Sequence, residues 1–167
     1  MPFTVRPSSA TELERGEPAE VALENALRKA RAVQRPGAGE AVLGCDTIVV
    51  LDGSIYGKPA DETAARATLA ALAGHTHEVI SGLALLLAGE ERTALARTRV
   101  SFRALDAPSL ERYVATGEWR GRSGGYAIQG AGAALAVAID GEVENVVGLP
   151  LSVLLELYPE LREQREA

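Results

Sequence analysis

The chain has 167 residues, of which 47% are hydrophobic and 24% are charged, and its formal net charge is −6. This length and composition fit one globular domain, residues 1–167, with a sizeable core. The negative charge argues against a general nucleic-acid binder, but it is compatible with a local cationic cleft for a phosphorylated small molecule. A single cysteine excludes an internal disulfide framework. We recognise no signal peptide and no membrane-spanning run, so we expect a cytoplasmic protein.

Apolar periodicity and turn residues predict strands that alternate with helices, which makes the fold class α/β. The predicted strands are 3–5, 48–51, 54–56, 77–87, 93–102, 133–139 and 142–147. The predicted helices are 18–33, which a breaker cluster at 34–37 ends, 62–73, 108–116 and 150–157. Asp52-Gly53 and Asp140-Gly141 are strong turn signals, so each is expected to join its flanking strands in a hairpin.

The stretch from Gly44 to Pro59 carries the first candidate chemistry. Asp46 lies at the head of a buried strand, and the tight turn that follows returns Lys58 towards it. A carboxylate and an ammonium at one strand end suit a metal ion and a phosphate, and an ion pair between them is the simpler alternative. Gly57-Lys58-Pro59 is not a P-loop, because no Ser or Thr follows the lysine and Pro59 has no N–H to donate.

The glycine-rich stretch from Gly124 to Gly132 is the second candidate. Its glycines let a ligand approach the backbone, and the amide of Gln129 can both donate and accept, as reading the edge of a nucleobase requires. A tight loop before a hairpin is the simpler alternative. His75 and His77 share one face of a predicted strand, but a closed zinc site needs four ligands and the sequence holds no further histidine.

Six ordered segments together resemble the Maf family of nucleoside triphosphate pyrophosphatases. They agree with the family in order and spacing over residues 18–157. The segments are Asn25–Ala30, Gly44–Val49, Gly57–Pro59, Leu72–Val79, Gly125–Gly130 and Asn145–Leu151. The resemblance implies a Maf/ITPase-like fold, with a mixed twisted sheet, flanking helices and a long antiparallel hairpin.

The same resemblance implies hydrolysis of a nucleoside triphosphate to the monophosphate and pyrophosphate, with Mg²⁺ or Mn²⁺ as cofactor. Asp46 matches the family's proposed general base and a metal-holding carboxylate. Lys29 and Lys58 match lysines near the phosphates. Thr47 and Gln129 match positions linked to substrate choice, in the combination of the subgroup that acts on dTTP and UTP. Modified pyrimidine triphosphates are further candidate substrates.

An acidic metal-site residue is also expected before the first helix, and Glu12 and Glu14 both qualify. The family's opening strand, Ser-x-x-Arg-Arg loop and helix have no counterpart in this sequence, and Arg6 and Arg15 are the candidate replacements for those arginines. A catalytically impaired nucleotide-binding module that regulates cell division is therefore the alternative to an enzyme. The expected partner is a nucleoside triphosphate, with no nucleic acid and no membrane, and a homodimer remains open.

Overall fold

The computed structural model describes residues 3–34 and 39–163. Within these ranges five strands form one sheet in the order β2-β1-β3-β4-β5. The strands are β1 (Val42–Leu51), β2 (Ser54–Tyr56), β3 (Thr76–Leu87), β4 (Glu90–Phe102) and β5 (Ala136–Asp140). The helices are α1 (Pro18–Val33), α2 (Glu62–Leu72), α3 (Ala107–Thr116), α4 (Val143–Val147), α5 (Leu151–Leu157) and α6 (Glu160–Glu163), with 3₁₀ turns at Ser123–Gly125 and Ala131–Leu135.

The α/β class and the long β3–β4 hairpin are confirmed. Both two-residue hairpin turns, Asp52-Gly53 and Ala88-Gly89, have positive φ at each residue, which is the backbone that matches the twist of the flanking strands. The sheet is not mixed in the described ranges, because all four of its strand pairings are antiparallel. Most of the breaker cluster, residues 35–37, lies outside the described residues.

Two predicted strands are wrong. Residues 3–5 form no strand, and the side chains of Phe3 and Val5 are 83% and 77% exposed. The stretch predicted as a strand at 142–147 contains helix α4, and β5 pairs with β4 instead. The buried amide of Asn145 explains the helix, because it donates to the Val79 carbonyl and to Thr98 Oγ1 on β3 and β4. This tertiary contact overrides the local strand pattern.

Helix α1 lies directly on the sheet because small residues face each other across the contact. Three of its five buried residues are alanines, and Ala22, Ala26 and Ala30 are each 0% exposed. A Cβ added to Gly82 would lie 2.3 Å from the carbonyl oxygen of Ala22, and one added to Gly44 would lie 2.2 Å from that of Ala26. The helix backbone therefore almost touches β1 and β3, and its polar residues are brought to the side of β1.

The opposite face of the sheet carries the larger apolar core, which α2 and α3 cover. Asp61 and Asp106 cap these two helices, as carboxylates at this position do, and Gly117 ends α3 in the left-handed conformation. Leu69 and Leu72 of α2 are completely buried in this core. In the part of the chain that the structure describes, no helix has the length and apolar character needed to cross a membrane.

Candidate active site

Asp46 is the centre of a polar cluster between β1 and α1. Its side chain is only 5% exposed, and its two oxygens are held separately. Oδ1 accepts a hydrogen bond from Lys29 Nζ at 2.5 Å, and Oδ2 accepts one from Asn25 Nδ2 at 3.0 Å. Asn25 and Lys29 lie one helical turn apart, so their side chains leave α1 on the same face. Asn25 opens the segment that contains Lys29, but it was not among the site residues predicted from the sequence.

Asn25 also fixes the loop that precedes α1. Its Oδ1 accepts a hydrogen bond from the Leu13 backbone N–H at 2.7 Å, and its Nδ2 donates to the Leu13 carbonyl oxygen at 3.0 Å. These two bonds satisfy both backbone groups of Leu13 with one buried side chain. The neighbouring residue, Glu12, is thereby held at the edge of the Asp46 cluster.

Glu12, and not Glu14, is the acidic loop residue that joins this cluster. Its Oε1 lies 2.9 Å from Lys29 Nζ, and its Oε2 lies 3.3 Å from Lys58 Nζ. Lys29 therefore contacts two carboxylates at once, those of Asp46 and Glu12. Within the described ranges Glu14 makes no ion pair with either lysine.

The charges in the cluster stabilise one another. Partial burial raises the pKa of Glu12, but the hydrogen bonds and charges of Lys29 and Lys58 outweigh this effect and leave the pKa lowered. Burial lowers the pKa of Lys29, and its hydrogen bonds to Asp46 and Glu12 outweigh burial, so this pKa is raised. Glu12 is therefore an anion and Lys29 a cation around neutral pH.

A cleft opens beside Asp46 at the edge of β1. Asp46 and Thr47 are consecutive, so their side chains point to opposite faces of the sheet, yet both line this cleft. Both side chains reach the cleft because β2 pairs with β1 only from residue 49 onward. The edge of β1 before residue 49 is therefore not covered by any described strand. Lys29, Lys58 and Gln129 line the same cleft. The structure thus brings together the site residues predicted from β1, α1 and the two loops.

Arg122 is a third cation of the cleft, and it was not among the site residues predicted from the sequence. It lies in a loop whose place is fixed by its neighbours, since Ser123 Oγ donates to the Thr47 carbonyl oxygen at 2.8 Å and the Gly124 N–H donates to the Gly57 carbonyl oxygen at 3.1 Å. The available signal was a run of arginines and glycines directly before the Gln129 stretch. Only the fold shows which of those arginines faces β1.

The arginines proposed as replacements for the Ser-x-x-Arg-Arg loop lie elsewhere. Arg6 forms a two-point ion pair with Glu40, with nitrogen–oxygen distances of 2.7 Å and 3.0 Å. Arg15 lines a separate groove beside the first turns of α1, next to Leu13 and Leu23. Neither guanidinium lines the cleft of Asp46.

The loop that carries Gln129 is held from behind by two side chains. The Tyr113 hydroxyl accepts a hydrogen bond from the Ala127 N–H at 3.0 Å, and Glu118 Oε1 accepts one from the Ala131 N–H at 3.1 Å. A Cβ added to Gly130 would lie 2.7 Å from either oxygen of Glu118, so the carboxylate and the loop are in close contact. The Gln129 side chain itself is exposed at the cleft.

Comparison with known proteins identifies the family. A family model described as Maf-like protein matches residues 1–161. The chain belongs to the Maf family. Three similar relatives are each named dTTP/UTP pyrophosphatase. They come from Symbiobacterium thermophilum (48% identity; 80% of this chain and 69% of the relative covered), Moorella thermoacetica (46%; 94% and 83%) and Pyrococcus furiosus (39%; 92% and 82%).

The Maf cleft offers suitable donors for a divalent cation. Mg²⁺ is usually held by one or two carboxylates together with substrate phosphates, and it keeps several waters. Asp46 and Glu12 already converge on one positive group, the Lys29 ammonium, so both carboxylates reach a common point. In the described ranges no group of three or more His, Cys, Asp or Glu side chains is placed to hold a metal ion.

The two histidines of this Maf chain have unrelated surroundings. His75 precedes β3 and is exposed, whereas His77 is buried between the rings of Phe102 and Tyr126. His77 Nε2 lies 2.9 Å from the Tyr126 hydroxyl oxygen, and burial lowers the pKa of the imidazole to about 4. His77 is therefore neutral at physiological pH and belongs to the apolar core.

Proposed function

We propose that this chain hydrolyses nucleoside triphosphates, with dTTP and UTP preferred, to the monophosphate and pyrophosphate. The observation that carries the proposal is the cleft itself, in which a buried carboxylate, a second carboxylate, three cations and an amide side chain line or border one space. Family membership and the names of the relatives support the same reaction. Modified pyrimidine triphosphates are chemically compatible with it.

In this proposal the three cations bind the phosphates. Lys29, Lys58 and Arg122 come from α1, from the segment after β2 and from the loop after α3, so they approach from different sides. Lysines act as point charges, and a guanidinium can bind two phosphate oxygens at once. Positive charge at these positions stabilises the charge that develops on the phosphoryl oxygens and on the departing pyrophosphate.

Asp46 is the proposed base. Its oxygens are fixed by Asn25 and Lys29, so the carboxylate is already oriented before substrate binds. In the proposed step a water oxygen bonds to the α-phosphorus, the bond from that phosphorus to the bridging oxygen breaks, and Asp46 takes the proton of the water. A divalent cation held by Asp46 and Glu12 would supply charge stabilisation to the phosphoryl oxygens.

Thr47 and Gln129 are the proposed base-selecting residues. An amide that both donates and accepts can pair with the N–H and the neighbouring carbonyl of uracil or thymine. The glycines on each side of the Gln129 loop let the base approach the backbone. The cytoplasmic setting, the homodimer and a role in cell division stay predictions.

The decisive experiment measures pyrophosphate release with Mg²⁺ or Mn²⁺ from dTTP, UTP, CTP, GTP and 7-methyl-GTP. We expect Asp46→Asn to lose at least about a hundredfold in turnover while nucleotide binding is retained, because the base is removed and the shape is kept. Asp52→Asn is the matched control, since Asp52 is exposed in the β1–β2 turn with a positive φ that Asn tolerates.

The outcomes separate the enzyme from its alternative. Turnover of dTTP and UTP that is lost in Asp46→Asn and kept in Asp52→Asn supports the enzyme. Nucleotide binding without turnover by the unaltered chain would instead support a non-catalytic binding module. Full turnover by Asp46→Asn would remove Asp46 from its proposed role.

A further inference from the structure

A buried hydroxyl lies directly behind Thr47. Ser81 is 0% exposed, and it faces Thr47 across the β1–β3 pairing. The two hydroxyl oxygens are 2.7 Å apart. Across the described ranges this is the only hydrogen bond that the Ser81 side chain makes. Thr47 is half-buried and lines the cleft, whereas Ser81 does not reach it.

The burial of Ser81 decides the direction of this hydrogen bond. A buried hydroxyl proton without an acceptor is destabilising, because it gives up its hydrogen bond to water and gains none in the protein. If Thr47 donated to Ser81, the Ser81 proton would be left without a described acceptor. When Ser81 donates to Thr47, the Ser81 proton has an acceptor, and the Thr47 proton can point to water or ligand in the cleft.

In the described ranges the surroundings of Thr47 offer its proton only a weak acceptor. Its backbone is fixed, because its carbonyl oxygen accepts the hydrogen bond from Ser123 Oγ. Cys45 lies beside it on the same strand face, within hydrogen-bond reach of the Thr47 side chain. Its sulfur is a weak acceptor, and its Sγ–H donates to the Gly148 carbonyl oxygen. A carbonyl oxygen in the cleft therefore competes favourably for the Thr47 proton.

We propose that Ser81 is a positioning residue for nucleobase choice: by donating to Thr47 Oγ1 it makes the Thr47 hydroxyl a donor towards the cleft, which selects a base that presents a carbonyl oxygen there. Uracil and thymine present a carbonyl at position 4, where cytosine presents an amino group, which can only donate. This inference rests on the proposed function and adds to it the origin of the preference for a carbonyl over an amino group.

The test compares Ser81→Ala with the hydroxyl-retaining Ser81→Thr. In Ser81→Ala the Thr47 hydroxyl is free to accept as well as donate, so the ratio of kcat/KM for UTP to that for CTP should fall about tenfold, the factor that one lost neutral hydrogen bond accounts for. The fall should lie mainly in KM, and Ser81→Thr should restore the ratio. Binding of UMP and CMP, measured by calorimetry, should change in the same ratio.

Ser101→Ala is the matched control. Ser101 forms the same kind of cross-strand pair with Thr76, also with an oxygen–oxygen distance of 2.7 Å, but this pair is on the solvent-exposed side and away from the cleft. We expect its UTP-to-CTP ratio to match that of the unaltered chain. An equal loss with both nucleotides in Ser81→Ala would show a merely structural role and would overturn the proposal.

The experiment also separates this inference from the proposed reaction. Turnover with an unchanged ratio in Ser81→Ala overturns the role of Ser81 and leaves the reaction standing. If the unaltered chain shows no turnover but binds UMP more tightly than CMP, and Ser81→Ala abolishes this preference, the proposed reaction is overturned. The role of Ser81 in base choice is then supported. Neither turnover nor binding of any of these nucleotides overturns both.

Discussion

Lys29 keeps two carboxylates close together without leaving a buried charge unpaired. Asp46 and Glu12 would repel each other at this separation, and Asp46 is almost completely buried. Removing one partner of a buried pair is strongly destabilising, because the remaining charge is uncompensated. The residue proposed to contact phosphate is therefore also the residue that assembles the acidic part of the site before substrate arrives.

Arg122 gives a prediction at this scale. Arg122→Met should lower kcat/KM for every triphosphate by about tenfold to a hundredfold, the range expected for one charge-assisted hydrogen bond to phosphate. The preference among bases should be unchanged, because phosphate contacts do not distinguish bases. Steady-state kinetics with dTTP, UTP and CTP measures both effects.

Arg120→Met is the control for that measurement. Arg120 is two residues away in the same loop, but its guanidinium lies over the Trp119 ring, at 4.6 Å from the centroid, and it does not line the cleft. We expect near-normal kinetics from this variant. Equal losses in both arginine variants would mean that Arg122 acts through the loop and not through the substrate.

At the scale of helices and strands, the sequence correctly predicted the elements that depend on contacts within a few residues. The capped helices α2 and α3 and the Asp52-Gly53 hairpin follow from side chains that satisfy backbone groups within a few residues. Helix α4 depends instead on Asn145, whose partners on β3 and β4 lie 66 and 47 residues away. A contact of that separation is invisible to periodicity, so α4 was predicted as a strand.

The candidate site shows the same division. Asp46, Lys29 and Lys58 were predicted as a group because the turn after β1 and the family segments place them in order. The choice of Glu12 over Glu14 required the Asn25–Leu13 hydrogen bonds, and Arg122 required the loop to fold back against β1. Neither contact can be inferred from the spacing of residues in the sequence.

The contact between α1 and the sheet gives the prediction for this scale. Gly82→Ala would place a Cβ 2.3 Å from a backbone oxygen of α1, which has no flexible side chain to move aside. We expect a loss of about 1–3 kcal/mol or more in the free energy of unfolding, as for overpacked cores. Urea unfolding followed by circular dichroism measures it.

Gly57→Ala is the control for that loss. An added Cβ at Gly57 meets no atom within 4 Å, and Gly57 does not have a positive φ. Its stability should stay within about 0.5 kcal/mol of the unaltered chain. If Gly82→Ala were equally stable, α1 would not be packed as closely on β3 as the structure has it.

For the whole molecule, net charge and site charge have opposite signs. The chain carries a net charge of −6, yet Lys29, Lys58 and Arg122 line one cleft. An acidic surface disfavours nucleic acid, while the cleft concentrates positive charge where a triphosphate would bind. The composition was compatible with this separation, and the fold supplies the three positions.

The buried His77 predicts how the stability of the whole molecule depends on pH. Its pKa is about 4 in the folded chain against an ordinary value of 6.5, so between these values the unfolded chain binds more protons. The contribution of the neutral imidazole to the free energy of unfolding is complete above pH 6.5 and is lost as the pH falls towards 4, and it amounts to about 3 kcal/mol.

His77→Gln keeps a hydrogen-bonding side chain beside Tyr126 but has no proton to gain in this range. Its free energy of unfolding should therefore fall less steeply than that of the unaltered chain between pH 7 and pH 4. Urea unfolding at several pH values measures the difference, in which the carboxylates common to both proteins cancel. His75→Gln, at an exposed position two residues earlier, should keep the original slope. Parallel curves for His77→Gln and the unaltered chain would show that the imidazole is not held neutral by its place in the core.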